Sequence, residues 1–281
     1  MPKPTLRLPG NAPGDWYVDA TCIDCGTCRR LAPQTFEAAK GTSVVVHQPR
    51  TPDAVQRAGM ALLACPVGAI GAPSRTDLRE SRDALPERVD DDVYDVGYAS
   101  SRAGGAAAWL LRHPEGNVLV DVPRFARPLL TKLSELGGVR WMVITHRAAA
   151  GEHAAWARHF KATRVMHASD VDASATDMEQ VTTTELSLAP DLRVIPVPGP
   201  TPGSMAVLWE GRVAVAGRLL SGTPDGRLAP SSLEATSQEH WRSAEALCRR
   251  GFRRLFPSHG RVWEGADALA ALRRTHVETP A

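Results

Sequence analysis

The sequence predicts an α/β chain in two parts, a small α+β segment over 1–75 and a larger layered α/β domain over 93–281, joined by a linker at 76–92. Three observations predict this. Four of the five cysteines fall between residues 22 and 65. From Gly71 to Asp92 the composition turns charged and small, with few aliphatics, as between packed units. Beyond that, short apolar runs alternate with stretches of helical periodicity. At 281 residues with 43% apolar content, the chain can build two cores. A net charge of +2 gives no reason to expect a nucleic acid or a membrane surface as partner.

In chain order, 15–19 reads as a first strand leading into the cysteine loop. A helix from Arg29 is cut short by Pro33, 43–47 is β-branched and strand-like, and 52–65 carries a helical apolar pattern. In the larger domain the expected strands are 106–112, 117–122, 140–145, 164–167, 192–197, 204–210, 212–217 and 252–256. The expected helices are 127–136, closed by Gly137-Gly138, then 152–161, 238–250 and 266–277. No window reaches the 18 or more apolar residues of a membrane span, and Met1 to Gly14 lacks a signal-like apolar stretch. The expected compartment is therefore the cytoplasm, where thiols stay reduced and five cysteines do not make a disulfide framework.

Cys22, Cys25 and Cys28 are spaced by two residues each, and Cys65-Pro66 supplies a fourth thiol. This spacing wraps a tight loop around an iron–sulfur cubane, with backbone N–H groups left to face the sulfides. Gly26 suits a loop that needs positive φ. The rival is a zinc site built from four cysteines, which wants two cysteine pairs rather than a triplet and a lone Cys-Pro. One [4Fe–4S] cluster on Cys22, Cys25, Cys28 and Cys65 is the expectation. Cys248 lies apart and reads as an idle buried thiol. His47 reads as a surface or strand-end residue, since four thiols already suffice.

Residues 15–72 resemble a small single-cluster ferredoxin domain. Over about 93–270, Asn117–Asp121, Thr145-His146, Pro198–Ser204, Ala216-Gly217-Arg218 and Pro257–Gly260 fall at strand ends in an order that resembles the metallo-β-lactamase fold. Nearly the whole chain is similar to ferredoxin-fused metallo-β-lactamase-like proteins. The resemblance implies a ferredoxin-like α+β domain followed by an αββα sandwich with a metal site along one edge.

The metal motifs of that fold are depleted here. His146 is present, but Ala148, Ala150 and Gly151 stand where ligands are expected. In the stretched motif of ferredoxin-fused relatives, Ala148 and Ala149 take the acidic places and Glu152-His153 keeps a pair. Pro200 replaces a histidine and Arg218 the bridging aspartate, while His259 remains. A guanidinium about 4 Å from a dication repels it by roughly 8 kcal/mol at an effective dielectric of about 20. Binuclear hydrolysis is therefore expected to be lost. His146, Glu152, His153 and His259 would suit one zinc ion if they converge. The competing reading has these histidines bonding each other and Arg218 pairing with Glu152, in a pocket that is structural or takes an anion.

His113, His159 and His240 are expected at the surface, and His167 near the pocket edge. The seven tryptophans read as core. The glycines at 104–105 and 199 lack the Lys-Ser/Thr of a phosphate loop. No flavin or nicotinamide motif is present, so an electron would come from or go to a protein partner.

Overall fold

The computed structural model describes residues 2–171, 177–231 and 237–278. Its centre is a pair of sheets. The first has seven strands in the order Gln180–Thr182, Thr163–His167, Trp141–Val143, Val118–Val120, Trp109–Leu111, Val93–Asp95, Glu87–Asp90. The first four of these run parallel and the rest antiparallel. The second sheet has six strands in the order Leu186–Ala189, Leu192–Pro196, Met205–Trp209, Val213–Gly217, Arg254–Pro257, Trp263–Glu264.

Alternation along the strands explains why the sheets stack. Trp109, Leu111, Val118, Val120 and Val143 point inward and pack against Val194, Val207, Val215 and Phe256 of the facing sheet. Their neighbours Leu110, Leu119 and Met142 point outward, under the helices Arg127–Glu135 and His153–Phe160. On the far side, Leu208, Ala214 and Ala216 meet Leu247 and Leu272 of the helices Gln238–Arg249 and Ala268–Glu278. The central strands of both sheets are buried on both faces, so they read as apolar runs rather than clean alternations. This is the expected αββα sandwich.

The front segment is a small α+β unit. Tyr17–Val18 pairs antiparallel with Ile70–Gly71, and Phe36–Ala39 with Thr42–Val45. Thr51 caps the helix Pro52–Ala64 by accepting the Ala54 N–H, with Pro52 in the first turn. Trp16, Leu31, Phe36 and Met60 belong to the same buried cluster as Leu110, Leu119 and Trp156. The outer face of the first sheet is thus covered by two helices of its own domain and by the front segment.

Two expectations change. The linker stretch 76–92 holds a helix, Arg79–Asp83, and the edge strand Glu87–Asp90 of the first sheet. Its charged residues are those an edge strand tolerates, which hides it from an apolar-pattern search. His113 and His240 are buried rather than at the surface. His113 Nε2 meets Asp191 at 3.0 Å, and His240 Nε2 meets the Leu219 carbonyl at 2.6 Å. The expected domain end at 281 lies outside the described residues. Among the described residues no helix is long and apolar enough to cross a membrane.

Candidate iron–sulfur site and the remnant pocket

Cys22, Cys25, Cys28 and Cys65 line one cavity together with Val18, Ile23, Thr27, Ser43, Val67, Ala69 and Ile70. The loop can turn there because Asp24 and Gly26 both take positive φ, 56° and 78°. Gly26 precedes the short helix Thr27–Leu31, which sets Cys28 at its first turn. Cys65 follows the last residue of the helix Pro52–Ala64 in extended conformation, as a residue before proline must. Backbone N–H groups already address the sulfurs: Ser43 N lies 3.4 Å from Cys22 Sγ and Ala69 N lies 3.3 Å from Cys65 Sγ.

The donor set fits a cluster better than a lone ion. Tetrahedral zinc with Zn–S of about 2.3 Å requires sulfurs about 3.8 Å apart. Among the described residues, no three His, Cys, Asp or Glu side chains meet closely enough to hold one metal ion. The four thiols instead surround a common space. Burial pushes the Cys28 thiol up to about 12 and the Cys65 thiol upward as well. Buried thiolates of this kind need positive iron beside them, so loading must displace protons. When bound, a [4Fe–4S] cluster carries one electron at a potential set by charge and N–H···S bonds.

The second domain places its polar residues at the carboxyl ends of five strands. Asp121 (φ +61°) follows Val118–Val120, Thr145 and His146 follow Trp141–Val143, and Arg218 follows Val213–Gly217. Ser258 and His259 follow Arg254–Pro257, and His167 ends its own strand. Asp121 is fully buried and accepts from Thr145 N (2.9 Å), Thr145 Oγ1 (2.8 Å) and Ser258 Oγ (2.6 Å). Burial raises its carboxyl to about 6, against those hydrogen bonds and the charge of Arg218.

These partners fix the histidine tautomers. With the Asp121 carboxylate taking the Thr145 hydroxyl proton, Thr145 Oγ1 accepts from His146 Nδ1 at 3.0 Å. His259 Nδ1 donates to the Cys25 carbonyl at 3.3 Å. Both Nε2 atoms are then bare lone pairs, buried and without a hydrogen-bond partner among the described residues. His146 is 1% exposed and His259 6%. Burial, then the Arg218 charge, then His259 hold His146 down at about 3. Burial brings His259 to about 4 with Arg218 and Arg30 assisting, although its bond to Cys25 works the other way.

The four residues expected to bind zinc are not assembled. His146 and His259 lie near Arg218, but Glu152 and His153 turn elsewhere. In place of the expected pairing with Arg218, the Glu152 carboxylate accepts from Phe125 N at 3.1 Å and lies 4.0 Å from Arg102. His153 Nδ1 meets Arg164 Nη1 at 3.1 Å. Glu152 caps the helix His153–Phe160 and His153 opens it, and here the two side chains leave in different directions. His167 is spent on a local cap, accepting from Ser169 N.

Two buried carboxylates carry structural work that the sequence does not announce. Asp170 ties three loops by accepting from Arg147 N (2.9 Å), Thr201 Oγ1 (2.6 Å) and Gly203 N (3.2 Å). Asp95 grips Arg30 across the seam between the two parts (2.6 and 3.2 Å). For Asp121 a signal exists, an aspartate ending the apolar run at 118–120; for Asp170 and Asp95 no local pattern sets them apart.

Residues 18–72 match the family described as the 4Fe-4S single cluster domain of Ferredoxin I. A hydroxyacylglutathione hydrolase from Anaeromyxobacter dehalogenans (strain 2CP-C) is 38% identical over 105 residues, 34% of this chain and 41% of that protein. The chain thus spans about two fifths of the length of that curated relative. In three dimensions the chain is similar to the DIM-1 metallo-β-lactamase, with TM-score 0.53 and 16% identity over 69% of this chain and 97% of that one. It is also similar to a metallo-β-lactamase from Pontibacter korlensis, with TM-score 0.52 and 18% identity over 67% and 94%. The chain thus joins a front segment that matches the ferredoxin single-cluster family to a domain with the metallo-β-lactamase fold.

Proposed function

We propose that the protein transfers or senses single electrons through one [4Fe–4S] cluster on Cys22, Cys25, Cys28 and Cys65, and that its second domain no longer performs binuclear hydrolysis. The observation carrying this reading is the contrast between two sites. Four thiols gather around one cavity at the front, while the remnant pocket keeps two imidazoles beside a guanidinium. Two dications bridged by water need four to six donors each, and hydroxide formation near neutrality needs the dication. The electron's other station is a protein partner.

A second reading is favoured by the two bare Nε2 atoms and by the hydrolase relative: one metal ion held at His146 and His259, supporting thioester hydrolysis. One experiment separates them. Anaerobically purified protein is expected to hold about four irons and four sulfides per chain, with a visible band bleached by dithionite. It is expected to show no zinc-dependent hydrolysis of a hydroxyacylglutathione. Two zinc ions per chain, or zinc-dependent turnover abolished by His146→Ala, would overturn the proposal.

A further inference from the structure

A buried arginine joins the cluster loop to the second domain. Arg30 sits two residues beyond Cys28 on the helix Thr27–Leu31. Its guanidinium makes a two-point contact with Asp95, Nε to Oδ2 at 2.6 Å and Nη2 to Oδ1 at 3.2 Å. The two side chains are only 11% and 2% exposed. Asp95 belongs to the strand Val93–Asp95 of the first sheet, and its Oδ1 is also held by Gly97 N at 3.0 Å. The guanidinium carbon stands 5.4 Å from the ring centre of Trp109, which is fully buried and anchored to the Pro257 carbonyl at 2.9 Å. Its backbone is tied into the cluster loop, Arg30 N donating to the Gly26 carbonyl at 3.1 Å, so the cation is rooted in the same helical turn as Cys28.

We propose that Arg30, held in place by Asp95, is a positioning residue that sets the reduction potential of the cluster, so that the second domain fixes the electron affinity of the first. The inference rests on the iron–sulfur reading above. Reduction adds one electron, and so one negative charge, to the cluster; a fixed cation in a low-dielectric seam favours that state and a fixed anion opposes it. The fork geometry explains why the cation is arginine, since a bidentate contact fixes both distance and direction. Arg29 provides the contrast. It faces Asp24 at 2.5 Å with a quarter of its side chain exposed, where solvent screens its charge.

The test is a redox titration of the full-length, cluster-loaded chain with dithionite, followed by electron paramagnetic resonance at fixed pH and salt. Arg30→Gln is expected to weaken electron affinity about tenfold, which is about 59 mV lower for a one-electron couple. Asp95→Asn, which leaves the cation unbalanced, is expected to shift the potential upward. Arg30→Lys keeps the charge and is expected to move less than half as far as Arg30→Gln, and Arg29→Gln less than either. A pair that serves packing alone would not give shifts of opposite sign. Unmoved potentials, or shifts in one direction, with iron and sulfide content unchanged, overturn the proposal. Should Arg30→Gln fail to fold, the sign for Asp95→Asn decides alone: upward supports the proposal, and no shift or a downward one overturns it. A parent chain without iron and sulfide sinks the iron–sulfur reading itself, and this proposal with it.

Discussion

His146, His259 and Asp121 are buried in one polar cluster, and their protonation equilibria pull stability in opposite directions. His146 is held near 3 by burial and the Arg218 charge, so the stability it contributes is complete above 6.5 and lost as pH falls toward 3. His259, near 4, behaves alike. Asp121, raised to about 6 by burial, contributes stability below 3.8 that is lost as pH rises through 6. Between about pH 6.5 and 4, unfolding takes up two protons at the histidines and releases one from the aspartate. The net uptake lowers stability by roughly 1 kcal/mol per pH unit on acidification. Denaturant midpoints at about pH 6.5 and 5 are expected to show this fall, steepened in Asp121→Asn and flattened in His146→Gln. An unchanged slope in both variants would contradict the burial-based account. At this scale the cysteines are legible because their spacing alone implies convergence. Glu152 and His153 mislead because sequence adjacency says nothing about where two side chains at a helix start aim.

The loop 103–107 and the cluster loop meet at Gly105. Its φ is +75°, and a Cβ there would stand 2.4 Å from Cys25 Cβ and 3.3 Å from Pro66 Cγ. Gly104, with φ +62°, has only the tip of Arg218 within reach, at 3.5 Å. Gly104→Ala is therefore expected to cost the backbone strain alone, about 1–2 kcal/mol. Gly105→Ala adds overpacking of about 1–3 kcal/mol and must part the two loops. Urea melts and the decay of the visible cluster band in air are expected to separate the variants, Gly105→Ala being less stable and faster to bleach. Equal behaviour would mean that this contact does not hold the loops together. The sequence shows two adjacent glycines and no phosphate-loop ending, but it cannot show that one of them faces a cysteine far earlier in the chain. Elements with their own periodicity, such as the helices Pro52–Ala64 and Gln238–Arg249, are legible almost to the residue. The edge strand Glu87–Asp90 reads as linker because its pairing with Val93–Asp95 supplies what its side chains do not.

Across the whole molecule the two parts are joined less by side-chain motifs than by backbone and shared core. Ala99 N donates to the Ala64 carbonyl (3.1 Å), Arg124 Nη2 to Leu63 O (2.8 Å), and His259 to Cys25 O. Arg57 meets Glu87 at 3.1 Å, and one apolar cluster runs from Trp16 and Phe36 through Leu110 to Trp156. Carbonyl acceptors carry no residue signature, which is why two domains are legible in the sequence and their docking is not. A continuous core predicts cooperative unfolding, since opening either part exposes apolar surface of the other at about 25 cal/mol per Å². Under anaerobic guanidinium titration, loss of the visible cluster band and loss of far-ultraviolet ellipticity are expected to share one midpoint. Cys65→Ser, which removes a cluster ligand, is expected to move both to lower denaturant, because ligation stabilises only the folded state. Two separated transitions, with only the first moved by Cys65→Ser, would show that the front segment and the sandwich unfold independently and that the seam is a contact rather than a core.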